Sequence, residues 1–416
     1  MREDDHRRTD LPALLERVES GPPAEAIEAV AAELAGMVGA REVSFLIADF
    51  SGRALVRFGP SEAGAAARER RQGAAQAETV ELEGTVYDRV LRTQQFDVDE
   101  REDGAQLIVP VTDRGDAIGL LELSLPRHPD EQVVADVAAT AHALAYVVIA
   151  NRRHTDLFEW GQRTTLFSLA AEIQRRLLPT SYTCEAGQFT LAGWLEPASS
   201  VGGDTFDYNL DRDVLQLSIT DAVGHEVEAA LLATLLVASL RNGRRRGLSL
   251  PEQASNANDD LAANTEAGNF VTGQLLRVDL YSGGATIINA GHPLPLRLRR
   301  GRVEEIELEV DLPFGLQPGR SFRVQQFPLE PGDRLVFVTD GMLERNAARL
   351  DVATTLGETG DLHPREVVHE LGAAVLRATD GDLRDDATVL VLDWYGGGPR
   401  RRRDSTAGAS HHYASP

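Results

Sequence analysis

Four short segments, far apart in the chain, each carry an aspartate beside a glycine or at the edge of an apolar run. They read Val201-Gly-Gly-Asp204, Thr220-Asp-Ala-Val-Gly-His225, Thr339-Asp-Gly341 and Asp385-Asp-Ala-Thr388. A carboxylate at the end of a buried strand is costly unless positive charge sits against it. Four that converge repel one another, and divalent metal is the compensation suited to hard carboxylate oxygens. Paired ions held in this way place a water and a phosphate in line, which is two-metal hydrolase chemistry. Taken singly, each segment is ordinary turn chemistry, because Asp and Gly both favour tight turns. The joint pattern is the signal. Asp204 follows the apolar stretch Phe189–Trp194, Asp221 closes Val214–Ile219, Asp340 closes Arg334–Thr339, and Asp385 and Asp386 precede Thr388–Leu392.

The elements that must position these carboxylates are mostly strands. Strand-like runs cover Phe189–Trp194, Val214–Thr220, Val271–Leu280, Gly284–Asn289, Leu294–Arg299, Arg323–Pro328, Arg334–Val338 and Thr388–Leu392. Helical stretches interrupt them at Glu226–Arg241, Pro251–Asn264 and Pro364–Ala378, and Pro251 after Ser249 and Leu250 is a helix-start signal. Many neighbouring strands with helices inserted between them predict packed antiparallel sheets with helices outside.

The first half reads differently. Ala26, Ile27, Val30, Ala31, Leu34 and Val38 recur at helical spacing, followed by a hairpin of Val43–Ala48 and Ala54–Phe58 across Asp49-Phe-Ser-Gly52. Residues 60–80 read as a flexible loop, Gly84–Leu91 as a helix, Gln106–Val111 and Ala117–Leu125 as a second hairpin, and Gln132–Ala150 as a long amphipathic helix. This order, with Leu107–Pro126 and the terminal helix, resembles a GAF domain, a sensor module that binds small molecules or dimerises. No residue pattern identifies a GAF ligand, and His128, His142 and His154 read as surface or packing residues. Leu166, Leu169, Ile173 and Leu177 form one helical stripe ended by Pro179, which is either plain core or the seam of a signalling helix. The expected divisions are an extension (1–23), a GAF-like domain (24–150), a linker helix (151–183), a catalytic domain (184–395) and a disordered tail (396–416).

Composition narrows the function. Among 416 residues, 65 acidic side chains face 42 basic ones for a formal charge of −23. That argues against a nucleic-acid surface, where phosphate contacts need clustered Lys and Arg. The two basic clusters, Arg241–Arg246 and Arg400–Arg403, read as a solvated helix end and a solvated tail. Cys184 is the single cysteine, so no intramolecular disulfide forms, which fits a reducing cytoplasm. The charged N-terminus lacks the apolar core of a signal peptide, and Ala229–Leu240 is too short to span a bilayer. No membrane partner is expected.

Nine motifs stand in order: Glu172–Pro179, Val201–Asp204, Asp221–His225, Phe270–Thr272, Asn289–Pro293, Pro313–Leu316, Pro331–Asp333, Thr339–Gly341 and Asp385–Thr388. Together they resemble a SpoIIE/RsbU-type serine phosphatase of the PPM, or protein phosphatase 2C, superfamily. The resemblance implies an α+β chain whose catalytic domain is a β-sandwich flanked by helices, holding two Mn²⁺ or Mg²⁺ ions. It implies that Asp221 bridges both ions, Asp340 and Asp385 complete one ion's protein shell, the Ala222 carbonyl serves the other, and Asp204 acts nearby. A water acidified by both ions would attack phosphorus opposite the serine oxygen. The implied substrate is a phosphorylated anti-sigma-factor antagonist of the STAS type, and a homodimer regulated through the GAF half is expected. Asp207 and Asp386 are either orienting groups for metal waters or solvated neighbours. The chain departs from the family in Ala222 for a common Gly and in Glu226, where Gly224-His-Gly would be usual. No phosphate-clamping arginine or general acid has a secure counterpart, since His225 is offset and His292 reads as structural. The contrasting class is a silent sensor or scaffold that binds the antagonist without hydrolysis. All four carboxylate segments are intact, which favours the enzyme.

Overall fold

In a computed structural model of the protein, residues 11–58, 68–69, 76–197, 202–343, 351–381 and 383–398 are described. The chain forms two compact units that part between Leu166 and Phe167. The expected linker 151–183 is therefore divided between the two. The tail from 399, most of the 60–80 loop and Val201 lie outside the described residues.

The first unit holds α1 (Leu11–Ser20), α2 (Ala26–Val38), β1 (Glu42–Ala48), β2 (Ala54–Phe58), β3 (Val80–Glu81), α3 (Val86–Thr93), β4 (Asp97–Arg101), β5 (Gly104–Asp113), β6 (Asp116–Leu125), α4 (Glu131–Asn151) and α5 (Leu157–Gly161). Its strands form one antiparallel sheet in the order β3-β2-β1-β6-β5-β4. Strand alternation sorts the faces. Phe45, Ile47, Leu121 and Leu123 pack with α2 and α4, while Leu46, Leu55, Ile108 and Leu120 pack with Val90 and Leu91 of α3. On the α3 face Glu122 is buried and accepts hydrogen bonds from Arg57, Tyr87 and Gln106. A cavity of about 200 Å³ opens beside it, with Ser44 and Arg101 in its lining. Among the described residues α4 is long and apolar enough to cross a membrane by length and composition, with 21 residues and a mean hydropathy of 1.8 over its most apolar stretch. Seven of its residues, including Val137, Ala141, Leu144 and Val148, are buried in the protein, as in a core helix.

The second unit holds α6 (Leu169–Leu177), β7 (Thr183–Glu185), β8 (Phe189–Glu196), β9 (Thr205–Leu210), β10 (Val214–Ala222), α7 (Glu226–Arg245), α8 (Leu250–Asn264), β11 (Val271–Asp279), β12 (Gly284–Ala290), β13 (Leu296–Arg299), β14 (Arg302–Glu305), β15 (Gln325–Pro328), β16 (Asp333–Val338), a 3₁₀ turn (Asp340–Met342), α9 (Val352–Glu358), α10 (Pro364–Ala378) and β17 (Ala387–Trp394). Two antiparallel sheets result, β15-β12-β11-β10-β9 and β14-β13-β16-β17-β8-β7. Leu217, Ile219 and Leu276 of the first pack against Leu191, Leu390 and Leu392 of the second, forming the sandwich core. The opposite faces are covered separately. Val389 and Val391 of β17 meet Val367, Leu371 and Val375 of α10, while Leu275 and Ile288 meet Leu232, Leu236 and Leu261 of α7 and α8. This is the expected sandwich flanked by helices. Helix α8 begins at its capping signal, with Ser249 and Glu252 in a reciprocal capping box and Pro251 in the first turn.

The Leu166–Leu177 stripe is not one helical face. Residue 166 precedes α6, which Ser168 caps by accepting from Ala171 N–H at 3.1 Å. The buried face is Ala170, Gln174 and Leu177; Leu166 and Leu169 are 71% and 65% exposed. The extended backbone of Leu178, forced by Pro179, ends the helix.

Candidate metal centre

The sandwich brings the four aspartate segments to one end. Asp204 precedes β9, Asp221 sits in the last turn of the β10 ladder opposite Thr272, Asp340 opens the 3₁₀ turn after β16, and Asp385 and Asp386 lead into β17. Asp204 thus stands immediately before a strand, after Phe189–Trp194 in sequence but separated from it. Strands β16 and β17 are hydrogen-bonded neighbours, which places the Thr339-Asp-Gly and Asp-Asp-Ala-Thr segments side by side. Thr339 N–H donates to the Thr388 carbonyl at 3.1 Å, and Thr388 N–H donates to Thr339 Oγ1 at 3.0 Å.

Asp204 is almost fully buried. Its Oδ2 accepts hydrogen bonds from Thr339 Oγ1 at 2.7 Å and Thr388 Oγ1 at 2.6 Å. Asp386, 1% exposed, accepts from Gln174 Nε2 at 2.6 Å and from Asp204 N–H at 3.3 Å. The same Gln174 amide donates to the Asp204 carbonyl at 2.8 Å. Glycines allow the close approaches. A Cβ on Gly203 would lie 2.6 Å from the Ala222 carbonyl oxygen, so this carbonyl is held against the Gly202-Gly203 segment.

The electrostatics are one-sided. Burial, then the charges of Asp340, Asp385 and Asp386, raise the Asp221 carboxyl to about 7. Burial and then Asp221 and Asp386 hold Asp204 well above the usual carboxylate range, against the opposing effect of its two threonine donors. Asp385 is raised by burial and by Asp340. Every charge acting on Asp221 is acidic, so the cluster calls for a cation from outside the chain. Among the described residues no three His, Cys, Asp or Glu side chains close on a single point as a finished chelate. The oxygens present, carboxylates plus the Ala222 carbonyl, are the hard donors that Mg²⁺ and Mn²⁺ take. The residues fit a divalent ion.

A pH prediction follows. Carboxyls raised above their unfolded value stabilise the fold when protonated, and that contribution is lost as pH rises through the folded value. In EDTA, thermal stability of the second unit is expected to fall between about pH 4 and pH 7, the window set by Asp221. Saturating Mn²⁺ should reverse the trend. Melting temperatures in EDTA that rise steadily across this window would contradict the one-sided charge.

Two neighbouring residues, Asp207 and Glu226, have their roles set by helix α7. Asp207 does not face the acidic ring. It accepts from Arg241 Nη2 at 2.9 Å and Arg244 Nη2 at 3.0 Å, tying β9 to α7. Arg241 also donates to the Leu177 carbonyl, so this basic cluster is structural rather than a solvated helix end. Asp207→Asn should destabilise the second unit by about 1–3 kcal/mol, read by urea denaturation, because two half-buried guanidiniums lose their anion. Unchanged stability with reduced turnover would restore a water-orienting role. Glu226 begins α7 as expected, but at φ +57°, a left-handed conformation natural to the glycine it replaces.

Neither His292 nor His225 is placed as a buried, hydrogen-bonded acid against the ring. His292 is buried, its Nδ1 2.9 Å from Thr272 Oγ1, its backbone held by Asn289, and burial pushes it down to about 3. It is a neutral structural residue. His225 is exposed at the N-cap of α7. Sequence reasoning missed Gln174, Thr339 and Thr388, although each lies inside a motif already singled out.

The second unit is thus a sandwich of two antiparallel sheets under paired helices, with an acidic ring at one end. Residues 211–395 match the family model SpoIIE, Stage II sporulation protein E. The chain is 24% identical over 230 residues to "Phosphoserine phosphatase RsbU" of Bacillus subtilis, covering 54% of this chain and 68% of that protein. It is 26% identical over 258 residues to "Protein IcfG" of Synechocystis sp., covering 53% of this chain and 40% of that protein. Among solved structures it is similar to the SiaA-PP2C domain of Pseudomonas aeruginosa, at 20% identity over 54% of this chain and 94% of that one, with a TM-score of 0.46.

Proposed function

We propose that the second unit is a metal-dependent protein serine/threonine phosphatase. Its substrate on this reading is a phosphorylated anti-sigma-factor antagonist of the STAS type, in a sigma-factor partner-switching pathway. The observation that carries the reading is the acidic ring of Asp204, Asp221, Asp340, Asp385 and Asp386, in which burial and then the neighbouring carboxylates raise Asp221. The naming of RsbU as a phosphoserine phosphatase supports the substrate class.

In this account Asp221 would hold both ions, Asp340 and Asp385 would hold one, and the Ala222 carbonyl would serve the other. When bound, two Mn²⁺ or Mg²⁺ ions supply charge neutralisation at the phosphate and an acidified water. The chain's own residues do the rest. Thr339 and Thr388 fix the Asp204 carboxylate by one oxygen, leaving the other for the site. The β16–β17 ladder sets the spacing between Asp340 and Asp385. Asp385 Oδ1 accepts the Asp386 N–H at 2.8 Å, which orients it.

The first domain (24–150) acts as a GAF-like regulator, and the active form is a homodimer. The exposed Leu166 and Leu169 support the second point, since neighbouring apolar side chains left in water favour a partner surface. A single-protomer mass by light scattering at all concentrations would count against the dimer. The substrate is tested with phosphoserine-bearing STAS protein and Mn²⁺. Phosphate release from it should exceed release from free nucleotides. Tight binding without release would mark a scaffold instead.

A further inference from the structure

Gln174 lies in α6, outside the aspartate segments, yet its side chain reaches into the acidic ring. It is 2% exposed. Its Nε2 donates at 2.6 Å to Asp386 Oδ2 and at 2.8 Å to the Asp204 carbonyl, residues 212 and 30 positions away. One amide thus joins the chain entering β9 to the chain entering β17, which belong to different sheets of the sandwich. Helix α6 contributes a second close contact, since a Cβ on Gly202 would lie 3.0 Å from Ala170 Cβ. Arg241 fixes the C-terminal end of the same helix through the Leu177 carbonyl.

We propose that Gln174 is a positioning residue for metal binding: it holds Asp386 and the Asp204 backbone so that the acidic ring keeps its spacing before an ion enters. The inference rests on the phosphatase reading above. Its physical basis is direct. Asp386 adds to the charge on both Asp204 and Asp221. Left to repulsion, three such carboxylates move apart. A neutral donor that grips Asp386 and the Asp204 carbonyl together opposes that separation without neutralising the charge the ion needs. Partners of metal ligands commonly alter metal affinity by about 10–100-fold.

The test is Gln174→Met, which keeps length and bulk but has no donor. Mn²⁺ titration calorimetry of the full chain should show affinity weakened about 10–100-fold. Hydrolysis of p-nitrophenyl phosphate should fall more at limiting than at saturating Mn²⁺. If the Met variant does not fold, Gln174→Asn, which withdraws the amide by one methylene, carries the same expectation. Either folded variant binding Mn²⁺ within about threefold of wild type would overturn the positioning role, even with a lowered melting temperature. Failure of the wild-type chain to bind Mn²⁺ at all would instead overturn the phosphatase reading on which the proposal rests.

Discussion

Asp221→Asn should abolish metal-dependent phosphatase turnover while raising the stability of the metal-free protein. The two effects have opposite signs for one reason. Asp221 sits at the end of β10, its backbone paired to Thr272, and Asn fills the same space, so the fold has nothing to lose sterically. What changes is charge. The carboxylate is repelled by Asp340, Asp385 and Asp386, so its removal relieves the ring and the melting temperature in EDTA should rise. The same charge is the one expected to hold both ions, so Mn²⁺ affinity and turnover should collapse. A loss of about 10³-fold or more, roughly 4 kcal/mol, is the scale of the electrostatic help that metal ions give such reactions. Near-wild-type turnover on a phosphoserine protein would show that the carboxylate is not a shared ligand.

Gly341→Ala should be among the most damaging single methyls in the second unit. A Cβ there would lie 2.0 Å from the Asp386 carbonyl oxygen and 2.9 Å from its carbon. Both atoms are backbone, and the strands that carry them are locked together by the Thr339 and Thr388 hydrogen bonds. No side-chain rotation relieves the contact; the β16 and β17 exits must separate. The expected cost is about 3 kcal/mol or more, at the upper end for overpacking, with activity lost because Asp340 and Asp385 move apart. Urea denaturation within about 0.5 kcal/mol of wild type would contradict this close approach.

The contrast between these two sites explains what could be seen in the sequence. Asp221, Asp340 and Asp385 were legible because each adjoins an apolar run with strand character, and the strand end fixes where the carboxylate goes. The sandwich and its covering helices followed from the same runs. Strand β9 is absent from the sequence reading although Thr205-Phe-Asp-Tyr-Asn-Leu210 alternates polar and apolar residues, because six residues beside a glycine-rich segment also read as loop. Asp207 looked like a site residue from its spacing to Asp204; only the turn of α7 that aims Arg241 and Arg244 at it shows otherwise. The stripe through Leu166 and Leu169 followed helical spacing, but Ser168 caps the helix after Leu166 and the buried side is that of Gln174. Contacts such as Gln174 to Asp386 depend on tertiary closure over 212 positions and leave no local periodicity to read.

Hydrolysis of p-nitrophenyl phosphate by the intact chain, followed as Mn²⁺ is titrated into EDTA-treated protein, tests the central claim most directly. The account predicts negligible turnover without metal, saturable activation by Mn²⁺ or Mg²⁺, and no activation of Asp221→Asn at the same concentrations. Turnover that is unchanged by EDTA, or a chain that stays silent at saturating Mn²⁺ while still binding a phosphorylated antagonist, would contradict it.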